Sequence, residues 1–382
     1  MHPMPLYFDY AATTPVDQSV IADMVACLGR DASFGNPASA SHTYGRQARD
    51  AVELARAQVA HSIGAVPANL IWTSGATESN NLALKGLALR GTHMITSLIE
   101  HKAVIDTARE LEAAGMAVTW LAPDSDGLIV PAAVERALRP DTRLVSLMWV
   151  NNELGTLTDI AEVARTVRRH GAYLHVDAAQ AAGKVEIDLQ RLPVDLLSLS
   201  AHKLYGPKGI GALYVSDRAK LALKAQIHGG GHEQGLRSGT LATHQIVGMG
   251  SAFALAQQCR TEEGPRIERL ARQLREGLLA LPGVRLNGHP GQRIAHTLNI
   301  QITTAGFSKA ALDSSLAVSS TSACSSASQT ASHVLMAMGL STEQARASLR
   351  LSIGRFTTEA EVEGAIAAVR QAIDAPLPFW QQ

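Results

Sequence analysis

Residues 144–176 read LVSLMWVNNELGTLTDIAEVARTVRRHGAYLHV. Leu144 to Val150 is apolar almost throughout, as in a strand buried on both faces. Ile160 to His170 carries apolar residues three and four apart, the spacing of an amphipathic helix, and Tyr173 to Val176 is a second short apolar run. A strand, a helix and a strand in that order make one unit of a parallel sheet covered by helices. The same alternation continues on both sides, with candidate strands at Leu70 to Thr73, Met94 to Thr96, Leu196 to Ser200 and Gly211 to Val215, and candidate helices at Glu78 to Arg90 and Ala103 to Ala114. The fold class is therefore α/β, with a mainly parallel sheet in a large domain. From about residue 255 the pattern changes to a long amphipathic helix (Ile267 to Ala280), a strand at Thr297 to Ile302, a small-residue stretch, and a further strand and helix. This places a large domain at 15–254 and a smaller α+β domain at 1–14 and 255–382. Thr358, three residues before Glu361, has the spacing of a capping box at the start of the last helix.

The 382 residues, 46% of them hydrophobic, can bury a substantial core without disulfides or structural metal. Lys plus Arg and Asp plus Glu are both 34, so no global charge points to nucleic acid or to an anionic membrane. No signal peptide or membrane span is read. Cys27, Cys259 and Cys324 are far apart and form no CxxC pair, a usage that suits a reducing cytoplasm.

Three features carry chemistry. Lys203 follows the apolar strand Leu196 to Ser200; a lysine desolvated there has a lowered pKa and can form a Schiff base, although a lone lysine in a turn is more often a surface residue. Asp177 ends the strand at 173–176, and strand ends of an open α/β sheet face one crevice. Alone, Asp177 would be read as a helix cap; beside Lys203 it reads as the carboxylate that keeps a pyridine nitrogen protonated while the lysine holds an aldehyde, the pair that pyridoxal phosphate (PLP) requires. Thr73-Ser74-Gly75-Ala76-Thr77-Glu78 leads from a strand through a glycine turn into a helix, and the free N–H groups of Ala76 and Thr77 can cradle a phosphate.

These stretches, together with Asp9 to Pro15, Phe34 to Ser39, Glu100-His101-Lys102, Val150 to Glu153, Ser200 to Gly209, His228 to His232, Arg237 to Thr240, Ser322-Ala323-Cys324 and Arg350 to Arg355, resemble the cysteine desulfurases of the NifS and IscS type, a branch of the class V, fold type I PLP enzymes. The resemblance implies that Lys203 tethers the cofactor, Asp177 pairs with its ring nitrogen, and Gln180 and Asn152 contact its hydroxyl side. It implies that His101 stacks over the ring and moves protons, and that Ala76, Thr77, Ser200 and His202 hold the phosphate. Thr240 would reach the PLP of a second subunit, implying a homodimer. Arg350 would fork onto the substrate carboxylate, its alternative being a buried ion pair; Asn36 is a weaker substrate-pocket candidate, because its Gly-Asn-Pro turn explains it without function.

Cys324 lies among small residues, Ser319 to Ser328, which leave a sulfur open to attack, whereas Cys27 and Cys259 fall inside helical patterns as packing residues. The implied reaction converts L-cysteine to L-alanine, with sulfur held as a persulfide on Cys324 and passed to an acceptor protein, an iron–sulfur scaffold or a thiolation relay protein. A selenocysteine lyase or a class V aminotransferase-like enzyme is the alternative. No metal and no direct nucleic-acid partner is expected. Thr321 and Trp149 replace the glycine and histidine common in IscS relatives, which bears on the acceptor rather than on the chemistry.

Overall fold

The computed structural model of the chain describes residues 4–304, 307–319 and 331–374. Its main sheet has seven strands in the order Leu70–Thr73, Gly211–Val215, Leu196–Ser200, Tyr173–Asp177, Thr142–Met148, His93–Ser97 and Ala117–Leu121. Gly211–Val215 is antiparallel to both its neighbours and every other pairing is parallel. All six expected strands form. The edge strand Ala117–Leu121 was not foreseen; four of its five residues are only half-buried.

Register decides what this sheet can do. Thr73 and Ser200 both face Gly211, Ser198 faces Asp177, and Asp177 faces Met148. One rim of the sheet therefore gathers the ends of four strands and the start of Gly211–Val215, and the loops at this rim open onto a common crevice.

A second, antiparallel sheet orders Ser348–Ser352, Thr297–Ile302 and Val284–Asn287. Leu6–Tyr7 pairs with Leu316–Ala317, which ties the first residues to this part of the molecule. The helix Thr243–Leu279 begins far upstream of the expected Ile267 and continues through Pro265. Proline forfeits one backbone hydrogen bond, but packing holds both halves. Ile246, Met249 and Phe253 enter the apolar cluster around the main sheet, and Ile267, Leu270, Leu274 and Leu278 enter a separate cluster with Phe8, Ile300 and Leu351. Residues 254 and 255 thus lie inside one unbroken helix. The last helix, Glu359–Asp374, is capped as its spacing suggests: the Glu361 N–H donates to Thr358 Oγ1 at 3.2 Å and the Thr358 N–H to Glu361 Oε2 at 2.8 Å. Among the described residues no helix is long and apolar enough to cross a membrane.

Candidate active site

The loops at the sheet rim enclose a cavity of about 380 Å³. Ala76, Thr77, His101, Asn152, Asp177, Gln180, Ser200, His202, Lys203 and Arg350 all line it, so residues from 76 to 350 in the sequence meet in one place.

Asp177 is only 4% exposed. Its Oδ2 accepts from Asn80 Nδ2 at 2.8 Å and its Oδ1 from the Ala179 N–H at 3.0 Å, so each oxygen is fixed by its own donor. Lys203 Nζ donates to the carbonyls of Ala11 and Ala12 at 2.8 and 2.6 Å. His101 caps the helix Lys102–Ala113 by accepting the Ala103 N–H on Nδ1 at 3.2 Å. Burial, and next the Lys203 cation, push its pKa below the usual histidine range against the opposing pull of Asp177. The neutral ring consequently carries its proton on Nε2. Burial and the cations of Lys203, Lys208 and Lys184 likewise push His202 down to about 4, and its Nδ1 lies 3.1 Å from Thr13 Oγ1.

Arg350 is 2% exposed and realises the ion-pair reading while lining the cavity. Its Nη2 donates to Asp9 Oδ1 at 2.7 Å and to Ser319 Oγ at 2.9 Å, and its Nη1 to the Asn152 carbonyl at 2.8 Å. Two site candidates lie elsewhere. Asn36 is exposed and outside the lining; its Oδ1 accepts the Ala38 N–H at 2.9 Å, because an Asx turn is what the Gly-Asn-Pro sequence stabilises locally. Thr240 is exposed and outside this chain's cavity. Cys324 lies outside the described residues. Of the other cysteines, Cys259 is within the long helix, whereas Cys27 sits in a turn just beyond Gln18–Val25, buried, its Sγ donating to the Asp23 carbonyl at 3.6 Å.

Sequence reading missed Asn80 and Asp9. Asn80 had a signal: it shares the helical spacing of Leu84 and Leu87, a fully buried face on which an amide needs a partner. The Ala11 and Ala12 carbonyls had none, since a backbone oxygen leaves no mark on the side-chain pattern.

A class V aminotransferase model matches residues 6–364. The chain belongs to this family. It is 55% identical to a protein named cysteine desulfurase IscS from Acinetobacter baumannii (strain AYE) over 97% of this chain and 93% of that protein, which places it in the IscS branch of the family. Among solved structures, a NifS-like protein matches with a TM-score of 0.87 at 34% identity, covering 97% of this chain and 100% of its own. A structure titled SspA in complex with cysteine matches with a TM-score of 0.79 at 40% identity, covering 92% and 99%.

The cofactor of such class V enzymes is PLP, and the cavity fits it. The helix Ala76–Leu87 starts at Gly75 with no side-chain cap, and a Cβ built on Gly75 would meet nothing within 4 Å, so the first-turn amides face open space. Asn152 Oδ1 and Arg350 Nε are buried polar atoms without a partner among the described residues, as expected where a polar ligand completes the site.

Proposed function

We propose that the chain is a PLP-dependent cysteine desulfurase that converts L-cysteine to L-alanine and carries the released sulfur as a persulfide on Cys324. The observation that carries this reading is the convergence of Asp177, Lys203, His101 and Arg350 on one cavity. PLP bound there supplies an electron sink for the substrate's α-carbon.

Ala76, Thr77, Ser200 and His202 hold the phosphate, Gln180 and Asn152 the ring-hydroxyl side, and Asp177 the protonated ring nitrogen. Lys203 Nζ would tether the cofactor and move the α-proton, and His101 would hold a transferable proton on Nε2. Arg350, its guanidinium already fixed by Asp9 and by the Asn152 carbonyl, receives the substrate carboxylate. The Cys324 thiolate forms a bond to the substrate sulfur as the carbon–sulfur bond breaks. The electron pair of that bond stays with the organic fragment, which takes a proton and leaves as alanine.

The persulfide passes to an acceptor protein, an iron–sulfur scaffold or a thiolation relay protein. The exposure of Thr240, away from its own chain's cavity, supports a homodimer in which it reaches the neighbour's phosphate. A reducing cytoplasm suits an enzyme that needs a thiolate. The division into units at 15–254 and at 1–14 with 255–382 belongs to the same reading, supported by the two separate apolar clusters.

The test is incubation of the PLP-loaded chain with L-cysteine while alanine and persulfide sulfur are measured together. Equal amounts in a single turnover are expected; neither product forming would refute the proposal. Asp177→Ala is expected to lower turnover about 10²-fold, the effect of losing a charge-assisted hydrogen bond in a buried site. Turnover within twofold of the parent would remove Asp177 from its role.

A further inference from the structure

Gly183 adopts φ +75°, a left-handed conformation that costs glycine little. It lies in the turn that brings Lys184 within reach of Gln180. Lys184 Nζ donates to Gln180 Oε1 at 2.7 Å, Gln180 Nε2 donates to the Ala11 carbonyl at 2.8 Å, and Lys203 Nζ donates to that same carbonyl at 2.8 Å. Gln180 and Lys203 line the cavity; Lys184 does not.

The amide of Gln180 is held from both ends by groups of opposite character. An ammonium can only donate and a carbonyl can only accept, so Lys184 selects the oxygen end and Ala11 the nitrogen end. Lys184 occupies an unfavourable place for a cation: burial, with repulsion from Lys203 and Arg350, pushes its pKa down to about 7. Nothing in the proposed chemistry uses it directly.

We propose that Lys184 is a positioning residue, which orients the Gln180 amide so that its N–H donors face the Ala11 and Lys203 side of the cavity. This rests on the desulfurase reading above, in which Gln180 contacts the hydroxyl side of the cofactor ring. Gln180 is thereby a fixed donor toward an anionic ring oxygen. Without Lys184 the amide loses the partner of its Oε1 and is held only at its nitrogen end, by the Ala11 carbonyl.

The test is a PLP titration of the full-length, cofactor-free chain and of Lys184→Met, Gln180→Leu and the double variant, followed by visible absorbance. Each single change is expected to weaken PLP binding about tenfold, the loss of one hydrogen bond to a charged group. The double variant is expected to bind as Gln180→Leu does, because Lys184 acts only through Gln180. Thermal unfolding of the cofactor-free variants provides a second readout, and Lys184→Met is expected to unfold no lower than the parent, since it removes a buried cation. Losses that multiply in the double variant, or Lys184→Met binding as tightly as the parent, would overturn the role of Lys184. If Lys184→Met does not fold, Lys184→Gln is titrated in its place; it keeps a donor and is expected to lose less than tenfold, and a loss as large as that of Gln180→Leu would overturn the role. Failure of the parent chain itself to take up PLP sinks the underlying reading instead.

Discussion

Lys203→Ala is expected to lower alanine formation from L-cysteine on the order of 10³-fold or more. Two tasks fall on one nitrogen, tethering the cofactor and moving the α-proton, and both need a primary amine at the end of Leu196–Ser200. The carbonyls of Ala11 and Ala12 hold Nζ at 2.8 and 2.6 Å, so the amine is already placed before any ligand arrives. Lys203→Arg keeps a cation there but cannot release its proton, and is expected to be as inactive as the alanine variant. Single-turnover alanine measurements check this. Activity within tenfold of the parent in either variant would remove Lys203 from the mechanism.

Cys324→Ala is expected to lower cysteine-dependent alanine formation at least about 10²-fold while leaving PLP uptake unchanged. Cys324 lies outside the described residues, but its flanks do not. The Arg350 N–H donates to the Ser319 carbonyl at 2.9 Å and Arg350 Nη2 donates to Ser319 Oγ at 2.9 Å. On the other flank, Ser332 Oγ donates to the Glu153 carboxylate. Both anchors therefore sit on, or next in sequence to, residues that line the cavity. Cys324 is five positions beyond Ser319, so chain length alone keeps its Cα within about 18 Å of that of Ser319. An enzyme that only transferred amino groups would be indifferent to this change. Parent-rate alanine formation by the variant would show persulfide catalysis on Cys324 to be wrong.

The main sheet was legible because its central strands are buried on both faces and therefore read as short, mainly apolar runs, as Gly211–Val215 does. Ala117–Leu121 is as apolar as the central strands, and only the fold shows that it is the half-exposed edge. The long helix was misjudged at its start because its two halves bury different faces in different clusters, and no single periodicity covers Thr243–Leu279. Asp177 and Lys203 were legible as site residues because both follow apolar strands on the same rim of the sheet. Asn80 and Lys184, which act on those residues from behind, carry no motif of their own; only the fold shows that their hydrogen bonds end on Asp177 and Gln180. Asn36 drew attention through its turn sequence, and its side chain accepts the Ala38 N–H of that turn.

The central claim is that the sulfur of free cysteine comes to rest on one side chain of this protein. Intact-mass analysis of the PLP-loaded chain after a single exposure to L-cysteine, followed by peptide mapping without reductant, tests it most directly. The account predicts a gain equal to one sulfur atom, confined to the peptide that contains Cys324 and removed by a thiol reductant. A gain on Cys27 or Cys259 instead, or alanine released with no added sulfur on any cysteine, would contradict it.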